Sequence, residues 1–184
     1  MSLRVIAGSA KGFPLKMPKG TPTRPATELV RGAIFSILAS SAENWGQVLD
    51  LFSGSGSLGI EALSRGAGFV DFVDQDARCC ATIKENLEKT LLSPFAKIHR
   101  CNVTRAIATL SGPYDIVLMD PPYSDSNIGK VLLQLADSSI VDMSTTVVMT
   151  HSSRLALLPS YSSLKIQREY RHGDSMIAIL RKEI

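Results

Sequence analysis

The sequence predicts an α/β domain with a mostly parallel sheet covered on both faces, an antiparallel pair at one edge and a basic hairpin ahead of it. From residue 46 onward, short apolar runs alternate with stretches of helical period. Strands separated by helices of this length pair in parallel and need cover on both faces. The last two runs, about 163–171 and 175–181, are joined only around His172-Gly173-Asp174, which returns them antiparallel.

Taken in order, residues 4–7 and 13–17 flank Gly8, Lys11 and Gly12 and predict two short hairpin strands. Pro18, Gly20, Pro22 and Pro25 then make an irregular connection. Thr27 is placed to cap a helix with apolar positions Leu29, Val30, Ala33, Ile34, Ile37 and Leu38, ending before Trp45. Residues 48–52 form the first buried strand, followed by a glycine loop and a helix over 58–64. A strand over 69–73 leads to an amphipathic helix over 77–91, with Cys80, Ile83, Leu87 and Leu91 on one face. Strand 96–101, helix 103–110, strand 114–119, helix 127–136 and strand 145–150 complete the alternation.

The 184 residues, 45% hydrophobic and 20% charged, suit one domain. The expected division is an arm over 1–26 and a core over 27–184. No apolar run approaches the ~20 residues needed to cross a bilayer, and residues 1–5 lack a secretory stretch. Cys79, Cys80 and Cys101 show no metal-ligand spacing and read as reduced thiols of a cytoplasmic protein; no metal is expected. The net charge of +3 is unevenly spread. Residues 1–31 carry Arg4, Lys11, Lys16, Lys19, Arg24 and Arg31 against Glu28 alone. A basic arm on a mildly acidic body points to a polyanionic partner, or to a solvated arm that maintains solubility.

Gly54-Ser55-Gly56-Ser57-Leu58-Gly59 matches G-x-G-x-x-G between a strand and a helix. Glycines there permit a sharp turn and close approach of a ligand to the positive end of the helix. Asp50 lies inside the preceding strand, where a buried charge needs a partner. An ammonium group, a water network or a loop-bracing contact would each meet that need. Asp74 ends the next strand and could accept hydrogen bonds from ribose hydroxyls. These residues suit a dinucleotide as well as S-adenosylmethionine.

Asp120-Pro121-Pro122-Tyr123 ends the fourth strand, on the side where parallel sheets bind ligands. Two prolines stiffen the loop and remove two donors, leaving an acceptor-rich edge. An exocyclic base amine is a poor nucleophile because its lone pair is delocalised into the ring. The Asp120 carboxylate and the carbonyl of Pro121 could accept its two hydrogens and favour a pyramidal nitrogen. Tyr123 offers a flat face for an extruded base.

With these residues the chain resembles class I, Rossmann-like methyltransferases with a (D/N)-P-P-(Y/F/W) motif. More narrowly, it resembles the bacterial 16S ribosomal RNA guanine-N2 methyltransferases, the RsmD family. Arg4 to Gly8, Lys11-Gly12, Leu15, Arg24 to Thr27, Val30-Arg31, Phe35 to Leu38, Asp50 to Gly56 and Gly59 to Gly66 carry that likeness. The resemblance implies a seven-stranded sheet with its last strand antiparallel. It also implies S-adenosylmethionine held by Asp50, Phe52, Ser53, Gly54, Gly56, Gly59, Asp74, Gln75, Asn102, Val103 and Asp120, with Thr27 near the methionine end. The catalytic loop would be Asp120 to Tyr123, and Arg4, Lys11, Lys16, Arg24 and Arg31 would meet ribosomal RNA or an assembling small subunit, the protein acting as a monomer. The chain departs from the pattern at Gly32 and Thr150, where the family usually has Glu. An adenine-N6 methyltransferase needs the same loop, whereas a nicotinamide-dependent oxidoreductase leaves the loop and the arm unexplained. A non-catalytic RNA-binding protein on the same fold is the third alternative.

Overall fold

The computed structural model describes residues 3–20, 26–42 and 44–183. The basic arm, residues 3–20, is a hairpin with little regular strand. Arg4 and Pro14 form one isolated antiparallel bridge. Val5 N–H donates to Phe13 O, Gly12 N–H to Val5 O and Leu15 N–H to Leu3 O, at 2.8–3.0 Å. The helix α1 (Glu28–Ser41) follows, with the Thr27 side chain accepting from Val30 N–H as anticipated. Its inward face holds Val30, Arg31, Ile34, Phe35 and Leu38. Leu29, expected inside, is 71% exposed.

The core then alternates as the sequence predicts: β1 (Gln47–Leu51), α2 (Ser57–Ser64), β2 (Phe69–Asp74), α3 (Ala77–Thr90), β3 (Ala96–Arg100), α4 (Val103–Thr109), β4 (Ile116–Met119), α5 (Ile128–Ala136) and β5 (Thr146–Ser152). Three more strands, β6 (Ser160–Tyr161), β7 (Leu164–His172) and β8 (Ser175–Lys182), close the chain. The eight strands lie in the order β3-β2-β1-β4-β5-β8-β7-β6. The β1–β5 pairs are parallel, and β8, β7 and β6 are antiparallel additions. The two-residue β6 is the strand beyond the expected seven; so short a run carries no periodic pattern.

Apolar clusters fill both faces of the sheet. One joins the arm, α1, α2 and α3 to Val48, Phe72 and Leu118. The other joins α4 and α5 to Leu49, Val117 and Met149. On α3 the buried positions are Cys79, Ile83, Asn86, Leu87 and Thr90. The expected stripe is therefore rotated, with Cys80 only partly covered. Leu91 is 79% exposed and caps the helix in the left-handed conformation.

The direction of travel across the sheet reverses between β1 and β4, which lie side by side with Leu51 opposite Met119. A doubly wound sheet opens a crevice at such a switch point. The glycine loop leaves β1 there and the proline loop leaves β4 there, so two motifs about 60 residues apart in sequence become neighbours.

Candidate active site

The backbone turns into the crevice at Phe52, whose φ of 61° is unusual for a residue with a side chain. The loop is then tied to β2. Ser53 Oγ donates to Asp50 O and accepts Val73 N–H, and Ser53 N–H donates to Val73 O. Asp74 joins the two loops: its Oδ2 accepts Gly54 N–H and its Oδ1 accepts Asp76 N–H, both at 2.9 Å. Each oxygen keeps a further lone pair for a ligand hydroxyl.

Asp50 lies beneath α2, 1% exposed. Gly56, the N-cap of that helix, has no side chain to satisfy the first-turn donors. Asp50 Oδ2 does so instead, accepting Gly59 N–H at 3.0 Å. Gly59 must be glycine for this approach, since a Cβ there would stand 2.3 Å from the Phe72 ring and 3.0 Å from Asp50 Oδ2. The other oxygen, Oδ1, is buried with no hydrogen-bond partner. Burial is the main force pushing the Asp50 carboxyl up to about 8, against the Gly59 N–H, and Asp120 and Asp74 push the same way. A buried acceptor left over beside a helix N-terminus matches an ammonium or its water network, and so fits an amino-acid end such as that of S-adenosylmethionine.

A cavity of about 520 Å³ opens above these loops. Of the residues that the sequence assigns to the cofactor or to catalysis, Phe52, Ser53, Gly54, Asp74, Gln75, Asn102, Val103, Asp120 and Pro122 line it. Asp50, Gly56 and Gly59 stand behind this lining rather than in it. Asn102 also caps α4, with Oδ1 accepting Arg105 N–H at 2.8 Å. Thr27 does not line the cavity; its hydroxyl oxygen is engaged in capping α1.

At the proline loop, Pro121 is buried while Pro122 and Tyr123 are exposed, Tyr123 by 50%. Tyr123 OH donates to Ser175 Oγ at 2.7 Å, which steadies the ring against β8. Burial pushes the Asp120 carboxyl up, while hydrogen bonds from Thr150 and Ala26 oppose it.

The arm was expected to face RNA, and in part it faces the cavity. Met17 and Pro18 form part of the lining, which sequence periodicity could not indicate. Buried Asn86 connects the arm to the glycine loop. Its Oδ1 accepts Lys16 N–H, and its Nδ2 donates to Lys16 O and Ser55 O at 2.8–3.0 Å. The one available sign was a polar residue on the apolar stripe of α3. Farther back, Glu61 accepts Ile6 N–H, Ala7 N–H and Arg65 Nε, and Ser64 Oγ accepts Ala10 N–H. The stretch Gly59 to Gly66 thus serves as a dock for the arm.

Arg4, Lys11 and Lys16 are exposed; Arg4 pairs with Glu28 and Lys16 with Glu85. Arg24 lies outside the described residues. Arg31 is a correction: it is fully buried, donates through Nη2 to Arg4 O, and leaves Nε and Nη1 without partners. It supports the arm from beneath and presents no surface to RNA. Among the described residues, no cluster of His, Cys, Asp and Glu could hold a metal ion. No helix there is long and apolar enough to cross a membrane.

Residues 3–181 match the family described as "Conserved hypothetical protein 95". The Bacillus subtilis protein named "Putative rRNA methyltransferase YlbH" is 34% identical over 98% of this chain and 99% of its own length. The chain belongs to the RsmD-like methyltransferase family. A second member, "Ribosomal RNA small subunit methyltransferase D" of Escherichia coli, is 33% identical over 74% of this chain and 68% of its own. The solved structure titled "Putative methyltransferase yhhF from Escherichia coli" superposes with a TM-score of 0.85 at 27% identity, covering 100% and 99% of the two chains. The RsmD-like chain therefore has the methyltransferase fold and uses S-adenosylmethionine.

Proposed function

We propose that this protein methylates the exocyclic N2 of a guanine in small-subunit ribosomal RNA. The observation that carries the reading is the proximity of Asp120-Pro121-Pro122-Tyr123 to the glycine loop, with Asp120 on the wall of the same cavity. Bound S-adenosylmethionine supplies an electrophilic methyl group. Asp50, behind the cavity wall, is assigned to its ammonium end through a water network, Asp74 to its ribose hydroxyls, and Asn102 and Val103 to its adenine. The names of the Bacillus and Escherichia relatives support ribosomal RNA as substrate, and the exposed basic residues of the arm support a polyanion. Guanine N2 follows from the family resemblance.

In this reading the base leaves its stack and lies against Tyr123. The Asp120 carboxylate and the Pro121 carbonyl accept the amine hydrogens, and the nitrogen turns its lone pair toward the donor. Alignment, rather than a strong base, lowers the barrier. Residues 1–26 grip RNA and 27–184 form the catalytic core of one cytoplasmic domain acting as a monomer. Replacing Asp120 with Asn is expected to lower methyl transfer by about 10²–10³-fold, typical for loss of an oriented electrostatic contact, while S-adenosylmethionine still binds. Full activity would remove Asp120 from the mechanism. Ribosomal RNA from cells lacking the protein, methylated in vitro and analysed by nucleoside mass spectrometry, should gain N2-methylguanosine. N6-methyladenosine would replace this reading with the adenine enzyme.

A further inference from the structure

The motif Asp120-Pro121-Pro122-Tyr123 does not contain either group that holds its own aspartate. The Thr150 hydroxyl donates to Asp120 Oδ1, and Ala26 N–H donates to Oδ2 at 3.2 Å. The register explains the first contact. Met149 of β5 lies opposite Met119 of β4, so Thr150 and Asp120 are the next residues of adjacent parallel strands. Thr150 is 1% exposed and β-branched, so its side chain has few rotamers to choose from. A hydroxyl has one proton to donate, and here it goes to the carboxylate. At the other oxygen the longer bond comes from Ala26, where the chain passes from the arm into α1.

An incoming amine needs an acceptor, and a carboxyl held in one orientation presents a defined one. We propose that Thr150 is a positioning residue for methyl transfer: its hydroxyl fixes Asp120 Oδ1 and leaves Oδ2 to receive the substrate amine as Ala26 N–H yields. The proposal rests on the reading of Asp120 given above. The hydroxyl also favours the ionised carboxylate, since a protonated Asp120 would offer a hydrogen where the amine requires a lone pair. The titratable groups linked electrostatically to Asp120 are Asp50 at the end of β1 and Tyr123 on the same loop. From β8 comes Ser175, which carries no charge. At the start of α1, Glu28 pairs with Arg4. Beside Thr150 on β5, His151 bonds to Glu169 and to Ser152 O. Among these neighbours, therefore, Thr150 opposes the effect of burial on the Asp120 carboxyl with a neutral donor.

The experiment compares wild type, Thr150→Val and Thr150→Ser by single-turnover methylation of ribosomal RNA from cells lacking the protein, with saturating S-adenosylmethionine, across pH. Thr150→Val should move the acid limb upward by about one pH unit, the size of one hydrogen bond to a charged group. Below that limb its rate should fall about tenfold, with cofactor affinity unchanged. Thr150→Ser, which keeps the hydroxyl, should follow wild type. The same shift should appear without RNA in ¹³C NMR titration of labelled aspartate carboxyls, with Asp120→Asn identifying the resonance. A Thr150→Val protein whose limb and resonance stay at the wild-type positions overturns the proposal. If that variant does not fold, Thr150→Ala against Thr150→Ser makes the same comparison, and coincident profiles overturn it. An active Asp120→Asn enzyme overturns the reading of Asp120 itself. An inactive one, together with an unshifted Thr150→Val, overturns only the role of Thr150.

Discussion

Asp50 combines a hydrogen-bonded oxygen, a partnerless oxygen and a carboxyl pushed up to about 8. Near pH 7 it is largely protonated in the free protein, and a cationic ligand group would draw the proton off. S-adenosylmethionine affinity should therefore rise between pH 6 and 8. Calorimetry in buffers of different ionisation enthalpy should detect proton release, and Asp50→Asn should abolish both effects; a flat pH dependence in wild type would count against an ammonium partner. Stability has the opposite sign. Between the unfolded carboxyl range near 4 and about 8, the unfolded chain gives up its proton while the free native protein keeps it. The native state thus loses stability as pH rises through that window, and denaturant melts of Asp50→Asn should show less of this loss. The need for a partner at Asp50 could be read from one charged residue inside an apolar strand. Arg31 could not be placed that way. Its helix presents Val30, Arg31, Ile34 and Phe35 inward, because the arm carbonyl of Arg4 lies over that face and gives a guanidinium something to bond.

Among the elements, α2 and α3 hold the arm and the cavity in register. Asn86 supplies three hydrogen bonds, two to Lys16 and one to Ser55. Asn86→Leu should destabilise the fold by about 1–3 kcal/mol, since it strands buried polar groups of the arm and the glycine loop. If the two are coupled through Asn86, any difference in wild-type cofactor affinity with and without RNA should shrink in that variant. An unchanged ratio of cofactor affinities with and without RNA would confine Asn86 to a structural role. Gly59→Ala tests the packing of α2 on β2: a Cβ 2.3 Å from Phe72 cannot be accommodated without movement, and a loss of about 1–3 kcal/mol is expected from overpacking, read as a lower Tm. The succession of strands and helices was legible because both faces of the sheet are buried and each period persists for several residues. Two-residue β6 and the turn of α3 about its axis were not, because they depend on what packs against them.

For the molecule as a whole, the order of strands brings the glycine and proline loops to one crevice, and that could be reasoned from topology before any coordinates. The split role of the arm could not. Its charge pattern suggested a partner outside the protein, but Met17 and Pro18 turn toward the cavity while Lys11 stays in solvent. If Lys11 meets phosphate, Lys11→Gln should reduce the slope of log affinity against log salt by about 0.7–1 for RNA, almost irrespective of sequence. A slope equal to wild type in filter-binding measurements would place the contact elsewhere.

The dock of the arm has a consequence for how the chain matures. Gly8 sits so close to α2 that a Cβ would fall 1.8 Å from Ser64 O, and the groups that secure the arm belong to Glu61, Ser64 and Asn86. The arm therefore has its full seat only once α3, which carries Asn86, has been synthesised. Loop closure over such a separation is slow compared with local helix formation, so the arm, made before the groups that hold it, settles after the helices it rests on. Ribosome-stalled chains ending before residue 86 should keep it open to protease, and protection at that length would show another seat. During that interval the basic residues of the arm, Arg4, Lys11 and Lys16, are exposed beside the ribosome that is making them.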